Sequence, residues 1–110
     1  MKTVAIPHAQ AGEIVDVRPL GPALDASRTA TLVKTQSLEI IRLVLPSGKQ
    51  IPPHKVAGEI AVQCLEGRVE LSAGDDVKEL AAGELVCLAG GTRHALRGIE
   101  NATVLVTILL

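Results

Sequence analysis

Short runs of Leu, Val and Ile recur along the chain, separated by Gly, Pro and Asp at intervals of about eight to twelve residues, the rhythm of an all-β sandwich or barrel. Leu38–Leu45 reads as a strand that ends at Pro46-Ser47-Gly48, a turn signal. Glu59–Leu65 alternates in part and turns through Glu66-Gly67 into Arg68–Leu71, which predicts a hairpin. Ala73-Gly74-Asp75-Asp76 predicts a second turn, followed by a strand over Val77–Leu80. Glu84–Leu88 stops at Gly90-Gly91, and Ala102–Leu109 is the most apolar strand of all. Helical periodicity is weak, and only Pro22–Ser27 reads as one or two helical turns.

The chain has 110 residues, enough for one domain that gains from extra burial against a partner. Its last strand is apolar on both faces, through Val104, Leu105, Val106, Ile108, Leu109 and Leu110, which predicts a homodimer by closed two-fold pairing. Eleven basic residues against twelve acidic ones leave no field to draw in nucleic acid or an anionic membrane. No apolar run reaches the roughly eighteen residues of a membrane-spanning helix, and the first eight residues lack the long apolar stretch of a signal peptide. A cytoplasmic protein is the expectation. Cys64 and Cys87 lie in apolar strand-like runs and read as two buried, reduced thiols.

The chain contains no Phe, Tyr or Trp. Without flat side chains there is no platform on which bases can stack and no cage for a quaternary ammonium ligand. The only rings are those of His8, His54 and His94, and the core must be assembled from aliphatic contacts.

Two clusters carry the candidate chemistry. In the first, Gly48 precedes His54 by six positions, and Gly67 follows; in the second, Gly83 leads to Gly91 and His94. This spacing resembles the two motifs of the cupin superfamily: Gly, five residues, His-x-His, three or four residues, Glu, six residues, Gly; then Gly, five, Pro, x, Gly, two, His, three, Asn. The resemblance covers roughly Leu38 to Leu110 and implies an all-β jelly-roll barrel of two antiparallel sheets. It implies one cupin domain over residues 1–110, with residues 1–30 as an N-terminal arm with edge strands and 38–110 as the barrel core. The look is that of the small, single-domain, RmlC-like bacterial cupins.

In that family two motif-one His, the Glu and the motif-two His converge on a transition metal. Here His54 and His94 stand on two of those positions, whereas the second His is Val56 and the Glu is Ile60; the Pro is Ala89 and the Asn is Gly98. Two imidazoles fall short of the three protein ligands of catalytic zinc and of the two-His-one-carboxylate set of non-haem iron. Glu59 is one residue off the family position, so strand alternation points it to the opposite face unless a bulge at Gly58 swings it inward. Cys64 shares a face with Ile60 and Val62 but lies about 13 Å from residue 60 at strand rise. His8 has no motif behind it. Lys55, Arg93 and Arg97 neighbour the histidines, and alternation turns Lys55 and Arg93 outward.

Burying a Val or Ile is worth roughly 1.5–3 kcal/mol, whereas a buried carboxylate without its metal costs several kcal/mol. The exchange suits a protein that folds with no cofactor or only a weakly bound divalent transition metal. The first expectation is therefore a small-molecule-binding barrel with His54, His94, Val56, Ile60 and Val62 contacting the ligand. The second is a metal-dependent dioxygenase or isomerase using His54 and His94, with Glu59 as a further candidate ligand. A third is an accessory barrel that associates with other proteins. The deoxysugar epimerases of the superfamily pair a His base with a Tyr acid, and this chain has no Tyr. The phosphate cassette and following helix of cyclic-nucleotide sensors are also missing.

Overall fold

The computed structural model describes residues 8–110. Among them, nine strands and one 3-10 helix form two facing antiparallel sheets in a jelly roll. The strands are β1 (Ala30–Lys34), β2 (Leu38–Leu45), β3 (Gln50–His54), β4 (Ile60–Glu66), β5 (Arg68–Ala73), β6 (Asp76–Ala81), β7 (Leu85–Leu88), β8 (His94–Gly98) and β9 (Ala102–Leu109). One sheet runs β1-β2-β9-β4-β7 and the other β3-β8-β5-β6. The most apolar strand, β9, lies at the centre of the five-stranded sheet, hydrogen-bonded on both sides, where a strand free of charge costs least.

The core fills the space between the sheets by simple alternation. Along β4, Ile60, Val62 and Cys64 point inward; along β9, Ala102, Val104 and Val106 do the same; from the other sheet come Val69, Leu71, Leu80 and Leu96. On the outer face of the five-stranded sheet, the chain before β1 lies across one end. Its 3-10 helix, Gly21–Ala26, buries Leu24, and Thr29 Oγ1 accepts a hydrogen bond from Val44 N–H at 2.9 Å. The Glu66 carboxylate completes the tie, accepting from Leu20 N–H at 2.7 Å, Gly21 N–H at 3.0 Å and the Thr103 hydroxyl at 2.8 Å. Burial works to raise the Glu66 pKa, but these three donors outweigh it and hold the carboxyl below its ordinary value.

Three expectations need correction. Arg68–Ala73 does not fold back on Ile60–Glu66 as a hairpin: β4 pairs with β7 and β9, β5 pairs with β6 and β8, and the chain changes sheet at Gly67. Gly67 has φ +73°, and a Cβ there would strike the Asn101 carbonyl and approach Ala102 Cα to 2.9 Å. A glycine at a hairpin and a glycine at a corner between sheets give the same sequence signal, and only the pairing of distant strands separates them. Cys87 is exposed, because Val86 and Leu88 take the inward positions of β7 and leave its thiol on the outer face; only Cys64 is buried. The helical stretch begins and ends one residue earlier than the pattern suggested and is 3-10 in type. The turn at Gly74-Asp75 forms as expected, a two-residue loop joining β5 to β6 with Gly74 at φ +58°.

Candidate functional site

The two sheets are closely packed at one end and part at the other. At the parting end β3 finishes on His54 and β8 begins on His94, and the two residues are direct cross-strand partners. Strict alternation from Ile51, which faces inward, would send His54 outward, since the two are an odd number of residues apart. The register shifts between Ile51 and His54, and the extra residue at Pro52-Pro53 brings His54 back to the inner face. Two prolines fit here because β3 is an edge strand and their missing N–H groups leave only one neighbour to satisfy.

Both imidazoles are held by the same device. His54 Nδ1 lies 3.2 Å from the Pro52 carbonyl and His94 Nδ1 lies 2.9 Å from the Thr92 carbonyl, each bond reaching two residues back along the chain. A carbonyl oxygen only accepts, so each Nδ1 carries the proton and each neutral ring keeps its lone pair on Nε2. The ring centroids are 4.3 Å apart and the planes tilt by 56°. His94 is 5% exposed, whereas His54 stands at the surface.

The rings line a cavity of about 90 Å³. The five-stranded sheet contributes Ile41, Leu43, Val62, Val106 and Ile108, and the four-stranded sheet contributes Ile51 and Leu96 beside the histidines. Every lining residue other than the histidines is aliphatic. Larger clefts lie on the outside, one of about 660 Å³ between Asp16, Arg18 and Arg42, but they are broad and open to solvent. The histidine cavity is enclosed by side chains from both sheets.

Of the sequence-predicted contacts, His54, His94 and Val62 meet in this cavity. Ile60 is buried in the core and Val56 packs against it, and neither lines the cavity. Glu59 is exposed just before β4, its carbonyl accepting from Leu109 N–H at 3.0 Å. Gly58 supplies no bulge toward the cavity: a Cβ there would strike the Leu109 carbonyl, so it serves as a close-packing point under the last strand. Cys64 is buried toward the closely packed end, where Sγ–H donates to the Glu66 carbonyl at 3.3 Å and burial raises the thiol pKa. Lys55 and Arg93 are exposed, Arg97 pairs with Glu70 at 3.1 Å, and His8 is exposed away from the site. Sequence reasoning missed Ile41, Leu43, Ile51, Leu96, Val106 and Ile108. Inward alternation on β2, β8 and β9 was the signal that would have found all of them but Ile51, which lies on β3.

The family's metal does not fit this donor set. The other two ligand positions are aliphatic, and no group of three or more His, Cys, Asp or Glu side chains is arranged to hold an ion among the described residues. Two imidazoles alone leave a catalytic metal below its usual count of protein ligands.

The profile of the cupin domain matches residues 41–109, well over half of the chain. The protein belongs to the cupin family. No curated protein matches this cupin. Among solved structures, a Streptococcus pyogenes protein superposes with a TM-score of 0.74 at 23% identity, covering 97% of this chain and 95% of its own. A cupin superfamily protein from Desulfitobacterium hafniense gives 0.76 at 16% identity, over 93% and 99% of the two chains. An RmlC-like cupin from Methanocaldococcus jannaschii gives 0.73 at 21% identity, over 89% and 93%. At these identities the likeness is one of fold, and it includes the two-sheet jelly roll of this cupin.

Proposed function

We propose that this cupin binds a small organic molecule in the cavity between His54 and His94 and works without a resident metal. The observation that carries this reading is the lining itself: two imidazoles in an otherwise aliphatic cavity, with no third metal-ligating side chain beside them among the described residues. A few placed polar groups in an apolar concavity are the usual make-up of a small-ligand site. Val62 contacts the ligand directly in this reading, while Val56 and Ile60 support the wall from behind. A thermal-shift screen with small alcohols, diols and organic acids tests it, since a ligand that binds only the folded state raises the melting temperature. If no compound in such a panel shifts the transition at millimolar concentration, the reading fails.

A metal-dependent enzyme of dioxygenase or isomerase type is the second reading. It is favoured by one observation, that both Nε2 lone pairs are left free by the Nδ1 hydrogen bonds. Zinc titrated into metal-free protein separates the two, with stoichiometric binding at submicromolar Kd supporting the enzyme and weak binding supporting the ligand site.

We further read the cupin as a homodimer that pairs through the outer face of its five-stranded sheet. Leu85, Leu109 and Leu110 are exposed there or at its end, and Leu105 is half-buried between them. A small domain gains from covering such a face, and two-fold pairing is the commonest way to do so. Sedimentation giving a monomer at micromolar concentration would remove the dimer. A reducing, cytoplasmic setting fits the two unpaired thiols of Cys64 and Cys87.

A further inference from the structure

The hydrogen bonds behind the two imidazoles determine what the cavity can recognise. The carbonyls of Pro52 and Thr92 have no proton to give, so Nδ1 is the donor in both rings and Nε2 is an acceptor in both when the rings are neutral. The remaining lining is Leu, Ile and Val, which offer neither donor nor acceptor. With both rings neutral, the lining side chains therefore offer two acceptors and no donor.

We propose that the cavity selects small aliphatic molecules that bring two hydroxyl donors together, one for Nε2 of His54 and one for Nε2 of His94. This deepens the small-molecule-binding reading and rests on it. A ligand with acceptors only would set its oxygens against two lone pairs and leave all of them unsatisfied out of water. Where both rings are neutral, a carboxylate meets the same lone pairs with a full charge added. An ammonium group would be desolvated with no carboxylate in the lining to balance it. A neutral diol satisfies both rings and leaves no charge behind.

Size and orientation follow from the same residues. An aliphatic cavity of about 150 Å³ takes a benzene ring, so about 90 Å³ takes a fragment of four or five heavy atoms. His54 stands at the surface, while His94, Val62 and Leu96 are almost wholly buried. One hydroxyl then sits at the mouth on His54, the other beneath it on His94, and the alkyl end lies against the aliphatic wall. The ring centroids, 4.3 Å apart, are close enough for one molecule to reach both.

Propylene glycol, sec-butanol and methyl acetate have the same heavy-atom count and carry two, one and no hydroxyl donors. Each is titrated into full-length protein at about pH 8, above the ordinary histidine pKa of ~6.5, and the methyl resonances of Val62, Leu96 and Ile108 report Kd. The expected order is glycol tightest, then the single alcohol, then the ester, with about tenfold or more between the extremes because two hydrogen bonds are lost. His94→Leu leaves one acceptor and should bring the glycol down to about the affinity of the single alcohol, while the ester, which uses neither ring, loses nothing. If glycol and ester bind equally, the selectivity proposal is overturned and the small-molecule reading stands. If none of the three binds, and the wider panel also fails, both fall. Should His94→Leu not fold, the order among the three probes on the native protein still decides.

Discussion

The two ends of this jelly roll are built from the same kinds of side chain and do opposite things. At the closed end, where β2 finishes and β9 begins, Leu45, Cys64, Val69, Ala102 and Val104 are fully buried and the backbone is drawn in at Gly67 and Gly98. At the open end, Ile41, Leu43, Ile51 and Ile108 are only partly buried and leave a cavity lined by two imidazoles, with His54 at its mouth. The difference is one of packing, not of composition. Protein interiors reach crystal-like density only where every side chain has a partner, and the open end lacks the ligand-bearing side chains that would fill it. Burial is concentrated where the sheets meet, and the other end is left open.

Truncation at the closed end should break the fold most. Leu45→Ala removes a wholly buried side chain with no room for collapse, and equilibrium denaturation should show a loss of about 2–5 kcal/mol. Leu43→Ala, at a half-buried position facing the existing cavity, should cost about 1–2 kcal/mol and admit larger ligands. Equal costs at the two positions would mean that the ends are packed alike.

The corner at Gly67 ranks next. Alanine there meets both the positive φ and the Asn101 carbonyl, so Gly67→Ala should lose about 1–3 kcal/mol, with thermal unfolding as the readout. A neutral result would show that the corner relaxes easily.

Glu66 gives a smaller, pH-dependent effect confined to the closed end. Its carboxyl is held below the unfolded value, so its contribution is present above that value, and it is lost as pH falls through the lower, folded one. Glu66→Gln should cost about 1–2 kcal/mol near neutral pH through weaker bonds to Leu20, Gly21 and Thr103. It should also flatten the loss of stability below about pH 4.5, near the ordinary glutamate range. An unchanged acid limb in the variant would place the titrating group elsewhere.

These contrasts also show what could be read in advance. The strands over Leu38–Leu45 and Ala102–Leu109 were plain because apolar runs and turn residues are local signals. β3 was not, because Pro52 and Pro53 argue against a strand until its edge position is known. The Gly67 corner read as a hairpin because which sheet a strand joins is decided by partners far away in the chain. His54 and His94 stood out by their spacing, but that they are cross-strand partners depends on a bulge that no pattern of apolar residues announces.

The smallest stability effect should come at the mouth. His54→Ala, at an exposed position, should change unfolding free energy by less than about 0.5 kcal/mol while weakening glycol binding severalfold in the same methyl titration. A large stability loss with binding intact would make His54 a structural residue.

The central claim, a binding end that functions without a resident metal, is tested most directly by elemental analysis of protein purified without a histidine tag and without added metal. Losing even an outlying partner of a metal ligand typically weakens binding by about 10–100-fold, and here two of the family's ligand positions are aliphatic. The expected result is well below one transition-metal ion per chain after dialysis, with no change in His54→Ala or His94→Ala. Stoichiometric zinc, iron or nickel that survives dialysis and disappears in either variant would contradict the account.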